Sequence, residues 1–386
     1  MGRYRHDPQR AGSDLEPNSI TMFIPFEKYA ASIFMPTHKK RKSPINTYTP
    51  FQAQNRSDAE KTAITVFDYN HDVLQEKKLD NIAECYPYLK STKVSWLNID
   101  GLRRADILSI ATHYEIHPLL IEDILSVGQR AKMDEINNKI FCLLPMLYYN
   151  ELRGEVEMEQ VSIILGDTFV ISFQEDPQRD VFNPIRERLR LSSSKLRLAG
   201  ADFLFYSLLD IIVDNYFVVI EKLGNRVETI EDMVMARPTA RTLAHVSILR
   251  KEIVVLKKAI TPVRELVNGI LKSESDLLDD RTQKYFKDVY DHIIQANDLA
   301  ESYRDMLMYI QELYMNKVNL KMNEVMKVLA IVTTLLAPAT VIGGVFGMNF
   351  DKIPFAHHPM GFYISVSAML VIPVIMLYIF KRRRWF

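Results

Sequence analysis

Apolar and polar positions change their period twice along this chain, and each change marks a different kind of element. Between residues 63 and 175 the apolar residues come in short runs rich in β-branched and aromatic side chains: AITVFDY, KVSWLNI, KIFCLLPMLYY, EQVSIILG and TFVISFQ. Each run is bounded by turn-forming residues, which predicts strands. RADILSIATHYEI and HPLLIEDILSV, lying among them, carry helical spacing instead, so residues 61–200 are expected to form an α/β domain. From Asp202 the period becomes 3.6: one helical pattern stops at Pro238, and a second, ARTLAHVSILRKEIVVLKKAI, stops before Pro262. Together they predict an antiparallel helical hairpin. Between Pro262 and Pro338 there is no proline and one glycine, Gly269. A helix starting near Asp279 is therefore expected to run unbroken to about Phe346, on the order of 100 Å at 1.5 Å per residue.

Two runs carry no charge at all, Val328 to Phe346 and Met360 to Phe380. Each approaches the roughly 20 residues that a helix needs to cross about 30 Å of hydrocarbon, so both are expected to span a membrane. Lys381, Arg382, Arg383 and Arg384 follow the second run directly, with Trp385 beyond them. Such a flank marks the cytoplasmic side, and two spans bring the N-terminal residues back to that side. The expectation is a multi-pass protein of the cell's inner (plasma) membrane with both termini cytoplasmic. The segments read as a poorly ordered lead-in over 1–60, the α/β domain over 61–200, hairpin and stalk over 201–324 and a first span over 325–347. An outer loop over 348–359, a second span over 360–380 and a basic tail over 381–386 complete the chain.

Composition narrows the chemistry. With 48 Lys and Arg against 48 Asp and Glu, no global field draws the molecule to nucleic acid. Cys85 and Cys142 are far apart and belong to no paired motif, which argues against a disulfide framework or a structural zinc site. No glycine-rich phosphate loop, GxSxG or HExxH occurs, so the common enzyme signatures are missing and no enzymatic activity is expected. The basic run His38 to Lys42 reads as a solvated linker rather than a lipid contact.

The first span carries the most informative pattern. Asn323, Met326, Ala330, Thr333, Ala337, Thr340 and Gly344 follow one another at alternating spacings of three and four, the seam of a helix packed against copies of itself. Small residues there suit close helix packing, or a narrow wet lumen shared by several chains. Val325, Val328, Val332, Leu335, Leu336, Ile342 and Phe346 lie on other faces, suited to lipid or to a second helix.

Tyr314 to Phe350, YMNKVNLKMNEVMKVLAIVTTLLAPATVIGGVFGMNF, with the short loop, second span and basic tail behind it, resembles the CorA family of magnesium and cobalt transporters. Gly347, Met348 and Asn349 match that family's signature, and HPLLIEDILSVGQRAK, YSLLDIIVDNYF and DVYDHIIQANDLAESYRDM are similar to its cytosolic segments. The resemblance implies a funnel-shaped homopentamer in membrane lipid, its long helices lining a pore for Mg²⁺ and Co²⁺. It assigns selection of hydrated ions to Gly347, Met348 and Asn349, and the pore and gate to Asn323, Met326, Leu329, Thr333, Ala337, Thr340 and Gly344. Lys381, Arg382, Arg383 and Arg384 would ring the inner mouth. Glu122 and Asp123 of one subunit would face Asp288 of the next across regulatory Mg²⁺, with Asp210 as an additional ligand.

Several readings stay open at this point. Asn349 would attract a hydrated cation without trapping it, or simply cap the helix. Lys284 could pair with Asp288 four residues on. The loop departs from the family pattern, because His357 and His358 stand where an acid is expected while Lys352 offsets Asp351. Imidazoles would favour softer ions, which keeps a zinc-transporting relative open beside a non-conducting Mg²⁺ sensor.

Overall fold

The computed structural model describes residues 58–59, 61–348, 353–354 and 358–383. The expected lead-in over 1–60, apart from residues 58–59, thus lies outside the described residues, as do Asn349, Asp351, Lys352, His357 and Arg384.

Seven strands form one sheet: β1 (Ala63–Tyr69), β2 (Leu74–Leu79), β3 (Val94–Asp100), β4 (Lys132–Glu135), β5 (Ile140–Asn150), β6 (Glu155–Leu165) and β7 (Phe169–Gln174). They lie in the order β2-β1-β3-β7-β6-β5-β4. The β3–β7 pair is parallel, with Leu97 opposite Ile171, and the other pairs are antiparallel. All five predicted strands are present. The two that periodicity misses, LQEKKL and KMDE, are the edge strands. An edge strand has one side to water and carries charge that discourages pairing with other chains, so it has no apolar alternation to read.

Period-2 alternation divides the sheet's side chains between two cores. On one face Val66, Leu97, Ile99, Phe141, Ile164 and Ile171 pack with α1 (Arg104–His113) and α2 (Pro118–Leu125). On the other Phe67, Trp96, Cys142, Leu144, Ile163 and Val170 meet three long helices. These are α5 (Ala201–Ala236), α6 (Ala240–Leu271) and α7 (Asp280–Phe346); two short helices, α3 (Asn183–Arg190) and α4 (Lys195–Leu198), precede them.

Helix α7 begins as expected, with Asp279 accepting a bond from the Arg281 N–H at 2.7 Å. Thr282, Phe286, Val289, Ile293, Ala296 and Ala300 form its buried stripe. The expected stop before Pro262 is not observed: α6 continues through that proline to Leu271. Proline removes one backbone donor and crowds the preceding turn. Here Pro262 is buried, and the Thr261 hydroxyl bridges the Lys257 carbonyl at 2.8 Å and Asn297 of α7 at 2.9 Å. Tertiary packing thereby outweighs the local penalty.

Where β3 ends, Gly101 adopts φ +80°, and a Cβ placed there would lie 2.7 Å from the Lys61 carbonyl oxygen. Gly101→Ala should therefore destabilise the α/β part by about 1–3 kcal/mol, seen as a lower melting temperature of the detergent-solubilised protein.

Candidate ion path and acidic cluster

Three helices are long and apolar enough to cross a membrane, α5, α7 and α8 (Gly361–Arg382). They differ in what covers them: 56% of the apolar window of α5 is buried, against 6% for α7 and 0% for α8. The apolar surface of α5 is consumed by the sheet and its neighbouring helices. The other two are left to be covered by something outside the chain.

Helix α8 lies against one side of α7. Ile331 is buried, Leu335, Pro338, Ala339 and Ile342 are half-buried, and a Cβ at Gly343 would lie 3.7 Å from the Met369 methyl. At 100° per residue those positions fall on one face. The opposite face holds Met326, Ala330, Thr333, Ala337, Thr340 and Gly344, all exposed, with Asn323 and Leu329 exposed on the flanks. The hydroxyls of Thr333 and Thr340 donate back to the Leu329 and Leu336 carbonyls at 3.0 Å. Their oxygens thus lie flat on the helix. Of the residues assigned to the other faces, Leu335 and Ile342 turn toward α8, while Val325, Val328, Val332, Leu336 and Phe346 are exposed.

The glycine-rich end is more regular than its composition implies. Gly343 and Gly344 remain helical, and α7 ends at Phe346. Gly347 caps it with φ −86°, an ordinary right-handed value, and its N–H donates to the Gly343 carbonyl at 2.9 Å. The Gly343 carbonyl is therefore held within the helix end, while the Met348 N–H turns to the Val345 carbonyl at 3.3 Å. Gly347 is valuable for its lack of bulk: a Cβ there would stand 3.0 Å from the Gly343 oxygen. Met348 is exposed. At the far end of α8, Lys381 and Arg382 occupy the last turn, where cations suit the helix dipole, and Arg383 follows as the cap.

Helices α5 and α7 bring together a cluster that sequence alone left in separate pieces. Ligand atoms of Asp210, Asp214 and His292 lie within 4.8 Å of one another. His292 Nδ1 stands 3.7 Å from Asp214 Oδ1, too far for a hydrogen bond. The Tyr206 hydroxyl donates to Asp210 at 3.2 Å. Burial holds the Asp210 carboxyl above the usual carboxylate range, and the charge of Asp214 adds to this. The charge of Asp288 also reaches Asp210, although Asp288 is itself exposed. Spacing along α7 places His292 beside Asp288, but only the packing of α5 on α7 turns it toward Asp214.

Glu122 and Asp123 lie elsewhere, at the end of α2. Glu122 is exposed, whereas Asp123 is half-buried and ion-paired to Lys132 at 2.6 Å. Lys132 sits on edge strand β4, and its role was not legible because the strand itself was not. No ion pair joins Lys284 to Asp288 among the described residues; Lys284 instead borders an open hollow with Asp280 and Asp291.

Residues 91–382 match the family model described as CorA-like Mg²⁺ transporter protein. This chain belongs to that family. It is 38% identical over 323 residues to the cobalt/magnesium transport protein CorA of Thermotoga maritima, covering 83% of this chain and 92% of that protein. A putative metal ion transporter of Bacillus subtilis is 30% identical over 291 residues, covering 75% of this chain and 89% of that one. The complete structure of the CorA magnesium transporter from Methanocaldococcus jannaschii superposes with a TM-score of 0.69 at 22% identity, covering 84% of this chain and 98% of that one. A CorA-like chain is a membrane protein, which accounts for two long apolar helices with almost no internal cover.

Two carboxylates and an imidazole at this separation can hold a divalent ion. The raised Asp210 pKa means that the unliganded fold binds a proton more readily than the unfolded chain. Stability from this group therefore falls as pH rises from the ordinary carboxylate range toward the folded value, and a bound cation would offset the loss. Co²⁺ added to the solubilised protein should give a visible absorption band that weakens as pH falls from about 7.5 to about 5. His292→Ala should remove the imidazole contribution to that band.

Proposed function

We propose that the chain is a potential-driven channel for Mg²⁺, with Co²⁺ and Ni²⁺ as further cargo, built as a homopentamer. The observation that carries this reading is the uncovered stripe of small and hydroxyl residues on α7, directly opposite the face that α8 occupies. One helix cannot enclose a lumen. Copies arranged about an axis can, with α8 outside and the stripe inside. The names of the Thermotoga and Methanocaldococcus relatives, which refer to cobalt and magnesium transport, support the cargo.

On this reading hydrated Mg²⁺ meets Gly347, Met348 and Asn349 first. Mg²⁺ sheds water reluctantly and demands octahedral oxygen coordination near 2.1 Å. A neutral amide ring that hydrogen-bonds the ion's own water shell attracts the ion without holding it. Thr333 and Thr340 line the path below. Met326 and Leu329 form apolar rings that close it by dewetting, and Ala337 leaves its own level wider. A divalent ion crossing about 100 mV gains about 4.6 kcal/mol, twice the single-charge value, so no coupled reaction is needed. Lys381, Arg382, Arg383 and Arg384 form the basic ring at the cytoplasmic mouth.

Regulation follows from carboxylates facing one another between subunits. Glu122 and Asp123 of one chain and Asp288 of the next hold Mg²⁺, with Asp210 behind them, and keep the pore closed and symmetric. Exposure of Glu122 and Asp288 supports this, since both are available to a neighbouring subunit. The Lys132–Asp123 ion pair adds a step: the bound ion displaces the Lys132 ammonium. When cytosolic Mg²⁺ falls, the carboxylates repel and the subunits separate.

In liposomes carrying a Mg²⁺ dye, potential-driven uptake should disappear in Asn349→Ala and fall at least about tenfold in Thr340→Leu, which crowds the stripe. Leu336→Ala, on another face, should conduct like wild type. Uptake that is absent under any potential would favour a non-conducting sensor. For the gate, Mg²⁺ should protect the wild type from limited proteolysis and protect Asp288→Ala much less; equal protection would remove Asp288 from the sensor.

A further inference from the structure

A cleft of about 570 Å³ opens at the β1–β2 edge of the sheet, beneath α3, far in sequence from the ion path and the acidic cluster. Its floor holds a carboxylate that the fold does not otherwise explain. Asp100 lines the cleft and is 9% exposed. Asn98 Nδ2 donates to both its oxygens, at 3.1 and 3.0 Å, and Gln174 Nε2 donates to Oδ1 at 3.0 Å. Among the described residues no cation is ion-paired with it: the charge of Arg186 reaches it, but that guanidinium is engaged with Asp180, and Arg190 makes two bonds to Glu76 at 3.0 and 2.9 Å. Burial, aided by the charge of Asp180, pushes the Asp100 carboxyl up to about 6. A buried, unpaired acid at the bottom of a cavity is a common mark of a binding site.

The acid is also held rigidly in place. Trp96 Nε1 donates to Ser172 Oγ at 2.9 Å, Ser172 Oγ donates to Asn98 Oδ1 at 2.7 Å, and the Asn98 amide then reaches Asp100. This relay starts in the core and ends at the cleft, fixing the carboxylate before any ligand arrives. Above the floor, the exposed ring of Pro177 supplies apolar wall, whereas the Phe67 side chain is fully buried and stacked on Trp96. At the rim Lys61 and Lys78 are exposed, and neither has an ion-pair partner among the described residues. Outside the two ion pairs the cleft thus holds two lysines at its mouth, with Asp80 as the remaining acid at the rim and Asp100 on the floor.

A fixed acceptor inside, the Pro177 ring above it and free cations at the mouth complement a flat ring that bears an amine and carries an anionic group at the other end. An amino acid would leave most of the volume empty. We propose that this cleft binds a mononucleotide, the exocyclic amine of its base donating to Asp100 and its phosphate resting against Lys61 and Lys78. Phosphate binding here needs no glycine-rich loop, because side-chain ammonium groups rather than backbone N–H groups supply the charge.

The probe is adenosine 5′-monophosphate, titrated calorimetrically into the full-length solubilised protein with Mg²⁺ removed, so that the outcome is independent of ion transport and of the regulatory cations. Saturable binding is expected, weaker by about tenfold or more for ribose 5-phosphate, which lacks the base. Asp100→Asn should weaken adenosine 5′-monophosphate by about tenfold. Lys78→Glu, at an exposed strand position that does not bear on folding, should weaken it by about fivefold or more. Absence of binding at millimolar nucleotide overturns the proposal, as does equal affinity for ribose 5-phosphate. Wild-type affinity in Lys78→Glu does so as well, even if Asp100→Asn fails to fold.

Discussion

Everything in this molecule hangs on one helix having two different environments. The first part of α7 buries Thr282, Phe286, Val289, Ile293, Ala296 and Ala300 against α5 and α6. From residue 318 through residue 330 every side chain is exposed. A helix propagates cheaply once nucleated, since each added residue gains a hydrogen bond for one more pair of fixed dihedrals. The packed part supplies the nucleus, and the bare part extends from it without a break. One unbroken helix thus joins the packed end to the apolar end, the connection that the proposed gate requires.

The acidic groups sit where that coupling would act. Asp210 and Asp214 on α5 and His292 on α7 meet across a helix interface that also buries Ile212, Val213, Val289 and Ile293. Carboxylates placed so close repel unless a proton or a cation intervenes; burial first, and then the charge of Asp214, raises the pKa of Asp210. Asp123 offsets its own charge by pairing with Lys132. Of these acids, Asp123 is neutralised within the chain, and Asp210 and Asp214 are ones that an external charge would relieve.

Much of the architecture was legible because periodicity reports burial directly. Five strands, two short helices and the long uninterrupted helix follow from runs whose apolar residues face a core. Strands β2 and β4 were invisible because charged edge strands have no buried face, and with β4 went Lys132 and its hold on Asp123. Pro262 misled for the opposite reason: a local rule was sound, and burial of the ring together with the Thr261 bridge overrode it. The helix end near Phe346 was legible, but glycine composition could not tell a missing side chain that permits close approach from one that permits an unusual backbone.

By itself the sequence determined the order of the elements, the two uncovered apolar spans and the seven-position stripe on the first of them, because these depend on spacing along one chain. It also carried the motifs that place the chain in its family. Tertiary structure alone decided which face of α7 meets α8, that His292 turns toward Asp214, and that Asp100 ends a buried relay at the floor of a cleft. Those facts join residues from separate elements, such as Asn98 on β3 with Ser172 on β7. Such pairings arise from packing and strand register, which no single stretch of sequence encodes.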